Sequence, residues 1–443
     1  MRVLSAGLAC AALLAAAPST EPTFYKDVLP VLQKNCQSCH RPGEAGPMSF
    51  LSYESTKPWA KAIKTAVLQK KMPPWFADPH YGKFSNDRTL AEADVKTLVA
   101  WTDGGAKAGN AKDAPKPIAF AEGWMIGKPD MIFEIPTAVN VPAEGTIDYQ
   151  YVRLPTNFTE DRYVQFAEAV PSDREHCHHI IAFIREAGSP WMKDAPIGTP
   201  FVPSHEPPPP QQGNKRGGGE GGGGGVGGGD FLAGYAPGTI PDTLKPGQAK
   251  LIPKGADIIF QLHYTANGKP GSDKSRVGVI FSKVAPTERV LTLAATNPKF
   301  AIPAGDPNYR VDSKITLQED STLEMMLPHM HLRGKDFEFT VVYPDGRKEV
   351  LLSVPHYSFS WQLSYYLDKP LRLPAGTTIE CTAHYDNSPN NPFNPDPNKE
   401  VRFGEQSWDE MMFGFFDVSV PLGTNPIDLM RPKKPQTTGA AER

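Results

Sequence analysis

Residues 257–264 read Asp257-Ile258-Ile259-Phe260-Gln261-Leu262-His263-Tyr264, and short apolar or alternating runs of the same kind recur at 276–281, 337–343 and 377–384. Each is rich in β-branched and aromatic side chains and is bounded by Pro, Gly, Asn or Asp, which is how half-buried strands and their turns read. This punctuation continues at regular spacing from about residue 118 to about residue 430, which predicts β-sandwiches, most simply two, over 118–288 and 289–430. Their boundary is expected within 284–297.

Upstream of the strands the pattern is helical. Thr89 and Glu92 have capping-box spacing, Val95, Leu98 and Val99 share one face, and Gly104-Gly105 stops the segment. An earlier helix opens near Pro58 and places Trp59, Ile63 and Val67 at steps of four. A small all-α domain over 20–108 is therefore predicted, joined to the strands by a Lys/Pro/Ala linker at 110–117. The fold class is multidomain: a small helical domain followed by two all-β sandwiches and a tail over 431–443. At 443 residues the chain has room for several cores.

Two stretches carry no fold information. Residues 206–230 hold four prolines in a row and then a glycine-dominated tract that cannot bury enough to offset its ordering entropy, so a flexible, disordered loop inside the first sandwich is expected. No strand precedes and no helix follows these glycines, so they do not read as a phosphate cradle. At the start, Arg2 precedes an apolar run of Ala and Leu that ends in small residues, the pattern of a cleaved secretory signal over 1–17. The run is too short to span a bilayer and no other membrane span is predicted, so the mature chain is expected to be periplasmic or secreted. A net charge of -3 gives no reason to expect nucleic acid as partner.

Cys36-Gln37-Ser38-Cys39-His40 is the C-x-x-C-H pattern for covalent attachment of haem c, two thiols forming thioethers and the histidine ligating iron. The sixth ligand is expected later in the same domain, at Met72 in Lys71-Met72-Pro73-Pro74-Trp75, with Met48 as competitor; the segment resembles the methionine loop of small class I cytochromes c. A Met/His pair favours electron transfer over oxygen chemistry at iron.

The histidines of the β region fall in groups: His176, His178 and His179; His263; and His329 and His331 flanking Met330. Imidazole with thioether suits copper cycling between its two oxidation states. Alternation along a strand lets His329 and His331 chelate directly and would pair His176 with His178, whereas His178 with His179 needs a strand end or bulge.

The C-terminal three quarters of the chain resembles the copper type II, ascorbate-dependent monooxygenases, the family of peptidylglycine α-hydroxylating monooxygenase and dopamine β-monooxygenase. Four landmarks stand in the family's order: His178-His179-Ile180-Ile181-Ala182-Phe183, Gln261-Leu262-His263-Tyr264, His329-Met330-His331-Leu332-Arg333-Gly334-Lys335 and Trp408-Asp409-Glu410-Met411. The resemblance implies two jelly-roll-like sandwiches and two copper ions. His178, His179 and His263 would hold the electron-storing copper, and His329, His331 and Met411 the oxygen-activating, catalytic one, with His176 left as a neighbour or bystander. Where peptide-hydroxylating members carry a carboxylate-binding arginine this chain has Leu327, and where the family has a tyrosine beyond the ligand methionine it has Phe415. The substrate implied is thus a more apolar or aromatic small molecule than a peptidylglycine.

The family cysteine after that methionine is Met412 here, so Cys381 lacks its family partner; Cys177 beside the copper histidines is unexplained, and its pairing with Cys381 stays open. His80, His205, His356 and His384 lie outside the landmarks. The function expected is hydroxylation of a C–H bond with O2, with electrons from an external donor, ascorbate or a redox protein, entering through the fused haem. The alternative is a periplasmic electron-transfer or copper-binding protein without hydroxylase activity.

Overall fold

A computed structural model of the chain describes residues 21–44, 46–120, 123–203, 229–237 and 239–431. The expected signal over 1–17, nearly all of the glycine-rich loop and the tail from 432 lie outside the described residues. Two compact units result: one of residues up to Arg41 with Met48–Pro73 and Leu90–Ile118, the other of Pro42–Pro47, Pro74–Thr89 and everything from Ala119.

The first unit is helical, with a wide turn at Phe24–Val28 leading into Leu29–Asn35, then Tyr53–Thr56, Ala60–Leu68 and Glu92–Asp103. Phe24, Leu32, Ile63, Val67, Leu98 and Trp101 meet in its core. The predicted capping box at Thr89 does not form: the last helix starts at Glu92 behind Ala91, two residues later than Thr89 would require, and the Thr89 amide donates instead to the Asp87 carboxylate at 2.7 Å. Gly104 ends that helix, and Gly105 follows at φ 87°, a conformation that glycine adopts without strain. Trp59 is 40% exposed because it sits in a 3-10 turn, Lys57–Trp59, whose tighter winding rotates it off the Ile63 and Val67 stripe.

The helical domain is also less continuous than its sequence suggests. Pro74–Thr89 belongs to the β unit: the Asp78 amide donates to the Ser353 carbonyl (2.8 Å), the Ser85 amide to the Tyr366 carbonyl (2.9 Å), and Trp75 packs on Tyr365 at 4.9 Å between ring centroids. Helical periodicity is missing from this stretch, so its aromatic side chains find cover on a strand surface rather than in the helical core.

In the β unit, the described strands form β-sandwiches. The first pairs a four-stranded sheet, ordered Gln150–Pro155, Asp257–Tyr264, Cys177–Arg185, Asp230–Tyr235, with strands of a nine-stranded sheet that includes Arg162–Val170 and Arg276–Phe281. Ile180, Ala182, Phe260 and Leu262 from one sheet meet Val164, Ala169 and Val277 from the other. In the second, Glu288–Thr296, Phe413–Pro421 and Ser321–His329 of the same nine-stranded sheet face the four strands Tyr309–Thr316, Thr378–Tyr385, Gly334–Val342 and Lys348–Val354. Leu293, Leu323 and Phe416 interdigitate there with Phe337, Phe339 and Ile379. The sandwiches are joined where Gln248–Ile252 lies parallel to Glu288–Thr296, with Gln248 opposite Glu288 and Ala249 opposite Arg289.

Because side chains alternate across a strand, whatever does not face a core faces outward. On Cys177–Arg185 the core takes Cys177, Ile180, Ala182 and Ile184, leaving His179, Ile181 and Phe183 outside. On Ser321–His329 it takes Leu323 and Met326, leaving Leu327 and His329 outside. The histidines thus occupy the outer faces of the two sandwiches.

Candidate metal centre

In the helical unit the C-x-x-C-H residues form one tight turn at the end of Leu29–Asn35: the Cys39 and His40 amides donate to the Cys36 carbonyl at 3.1 and 2.9 Å. Both thiols are free, and burial pushes the Cys36 thiol up to about 12. His40 is fixed from two sides, by a stack with Phe50 at 4.4 Å and by an Nδ1 contact of 3.3 Å to the Met48 carbonyl. With Nδ1 donating there, Nε2 is left with a lone pair, and burial keeps the ring below its ordinary pKa. Met48 packs against the helical core, whereas Met72 is half-buried in the same unit and outside that packing.

In the β unit, His178, His179 and His263 offer nitrogens that all lie within 4.8 Å of one another. A bulge makes this possible. Cys177 pairs with Tyr264 and His179 with His263, so His178 is the extra residue and swings to the side of its neighbour. The Nδ1 atoms of His178 and His179 are 3.4 Å apart, and the buried Nδ1 of His263 and Nε2 of His179 have no hydrogen-bond partner. Burial lowers the pKa of all three, to about 4 for His178.

His329 and His331 form the second group, their ring centroids 5.3 Å apart and perpendicular. Each spends Nδ1 on an oxygen acceptor, His329 on Gln362 Oε1 (2.6 Å) and His331 on the Asp409 carbonyl (3.3 Å). That fixes the tautomer and leaves both Nε2 atoms as lone-pair donors, the one on His331 buried and unpartnered. Burial lowers these rings to about 4 and about 3. Met411 is buried and lines the same cavity as His329. Glu410 ties the two landmark segments together, accepting from the His331 amide at 2.8 Å and the Arg333 amide at 2.6 Å; burial raises it to about 8 despite these amides.

Between the groups stands Phe359, stacked on His178 and 5.9 Å from His331. A cavity of about 110 Å³ runs along the outer sheet faces from His179 to His329 and Met411, walled by apolar side chains.

His176 is fully engaged elsewhere, with Nδ1 on Asp173 Oδ2 (2.7 Å) and Nε2 on the Lys269 carbonyl (3.0 Å). Both partners are acceptors, so the ring braces the strand entry best with a proton on each nitrogen; burial opposes the charge but the two partners raise its pKa overall. The simple strand pairing of His176 with His178 is therefore not the one that forms. Cys177 and Cys381 are free, buried in separate cores and held as neutral thiols by burial, so they do not pair. His384 bonds Asp336, His80 bonds Asp78, His356 is exposed and His205 lies outside the described residues. Gln362 and Phe359 carry no motif in the sequence. Glu410 lies within the Trp408–Met411 landmark.

No family model and no curated protein matches the chain. Among solved structures it is similar to the infectious bursal disease virus Gt strain structure (10% identity, 72% of this chain and 76% of that one, TM-score 0.19) and to PNGF-II (10% identity, 66% and 60%, TM-score 0.23). At these TM-scores the likenesses carry no argument, and the description as β-sandwiches rests on the strands themselves.

Proposed function

We propose that the chain is an exported copper-dependent monooxygenase of the ascorbate-dependent type II kind, built on jelly-roll-like sandwiches, with a c-type haem in its helical unit. One observation carries the reading: five histidines, three of them buried, converge in two groups, with His179 Nε2, His263 Nδ1 and His331 Nε2 left without partners, and Met411 lines one cavity with His179 and His329. A buried, unpaired imidazole nitrogen costs about 1–3 kcal/mol, and a copper ion is the partner that nitrogen and thioether together suit. His178, His179 and His263 would hold one copper; His329, His331 and Met411 the other.

When bound, the coppers and haem supply one-electron chemistry that reduces O2, placing one oxygen atom in a substrate C–H bond and the other in water. The protein's own share is positional. Gln362 and the Asp409 carbonyl set the imidazole tautomers, Glu410 holds the second group to the Met411 segment, and Phe359 excludes water between the groups. In the helical unit Cys36 and Cys39 would tether haem, His40 and Met72 would be the side chains that hold its iron, and an external donor, ascorbate or a redox protein, would supply electrons. The apolar cavity favours an enzyme over a copper store, which has no need of a substrate-sized space beside its ligands.

The test is metal analysis with an optical spectrum on protein exported from a host able to attach haem, followed by oxygen uptake with candidate substrates. One covalent haem and two coppers per chain are expected, with uptake lost in Met411→Ala. Haem without copper, or zinc in its place, would instead make this an electron-transfer protein.

A further inference from the structure

We infer that the ligand of the cavity is a compact, uncharged, single-ring molecule held by packing rather than by an ionic anchor; as a statement about substrate this rests on the monooxygenase reading. The register builds one wall. Leu327 lies directly opposite Phe415 and His329 directly opposite Phe413, on the outward faces of adjacent strands. The Phe413 and Phe415 rings are parallel within 2°, with centroids 5.1 Å apart, and their centroids stand 6.3 and 6.1 Å from that of His329. The stacked pair is an aromatic wall beside a proposed ligand, against whose edges or outer face another ring packs well. Across from it the alternation on Cys177–Arg185 presents Ile181 and Phe183.

Charge decides the class. Among the described residues, no Asp, Glu, Lys or Arg lines the cavity. The nearby Lys250 ammonium and Asp417 carboxylate are both bonded to Thr292, at 3.2 and 2.5 Å, and stay out of the lining. A carboxylate or ammonium on the ligand would be desolvated without a partner. Size narrows it further: a cavity of about 150 Å³ lined by Leu, Ile and Phe takes up benzene, so a space of about 110 Å³ holds at most one ring.

The experiment uses the full chain as purified, with copper content measured in parallel. Binding of toluene, benzoate and benzylamine is compared by calorimetry in the wild type, Leu327→Trp and Ile240→Trp; Ile240 is exposed at the cavity rim, so its replacement leaves the fold intact if that of Leu327 does not. Toluene is expected to bind at least about 100-fold more tightly than either charged analogue. Either Trp variant that retains wild-type circular dichroism is expected to weaken toluene at least about tenfold by filling space. Absent toluene binding, equal binding of a charged analogue, or toluene binding untouched in a folded variant overturns the inference. Toluene selectivity in protein that takes up no copper would sustain the cavity's preference and overturn the metal reading alone.

Discussion

Phe359 stacks on His178, ring centroids 4.8 Å apart and 19° from parallel, and the same ring stands within 6.4 Å of His263 and 5.9 Å of His331. One phenyl ring thus shields both histidine groups from water, and desolvation is the leading cause of their lowered pKa values. Replacing Phe359 by Ala is expected to let water in and raise these pKa values toward the ordinary 6.5. Since protons compete with copper for imidazole, the pH midpoint of copper release should rise by about one unit, read by metal content after dialysis across a pH series.

Copper removal should be visible in stability. Filling a site at a free-ion concentration 100-fold above its dissociation constant adds about 2.7 kcal/mol, so copper should raise the melting temperature of the stripped chain, and His263→Ala should lose one copper of two with part of that gain. Calorimetry with metal analysis checks both.

The same histidines fix a pH dependence for the metal-free chain. Their native pKa values lie below 6.5, so as pH falls from 6.5 the unfolded chain takes up protons that the native chain cannot, and stability declines until the native rings protonate near pH 4 for His178 and His329. The slope is at most about 1.4 kcal/mol per pH unit for each ring. Glu410, raised to about 8, acts in the opposite sense between the ordinary carboxylate range and pH 8, as do Glu168 and Asp230, which burial also raises, but the five rings outnumber them. Denaturant melts between pH 6.5 and 5 should show falling stability, and a flat profile would count against neutral buried rings.

Glu410 is expected to matter through the backbone it holds. Glu410→Ala removes the acceptor of two buried amides and should cost about 2–4 kcal/mol, with loss of the second copper. Glu410→Gln keeps one acceptor oxygen and should retain more of both; thermal melts and copper content separate the two variants.

His176 offers a contrast. His176→Gln breaks the pair with Asp173 and should cost about 2 kcal/mol while copper content stays at the wild-type value, because neither ring nitrogen is available to a metal.

What the sequence disclosed follows the range of the forces involved. Strand runs such as Asp257–Tyr264 were legible because alternation and turn residues are local, and the need for a bulge at His178 followed from two adjacent histidines claiming one site. The allegiance of Pro74–Thr89 to the β unit was not legible, because Trp75 finds Tyr365 only after the chain has returned from far away. Gln362 and Phe359 escaped notice for the same reason: each acts through a contact made by the fold, in a loop without periodicity. Thr89 misled because a capping box is a spacing, and the helix beside it begins at Glu92.

The sheet that runs unbroken from one sandwich to the other has a mechanical consequence. Besides the parallel strand pairing, Arg289 is ion-paired to Asp230 at 3.1 Å, and Gln248 bonds Glu288 and Glu324. Halves stitched this way resist opening like a clamshell, since a hinge would have to tear main-chain bonds and a buried ion pair together. Breathing is left to side chains and loops, so admission to the cavity should be gated by small rotations at its rim, and the spacing of the histidine groups should stay constant through a working cycle.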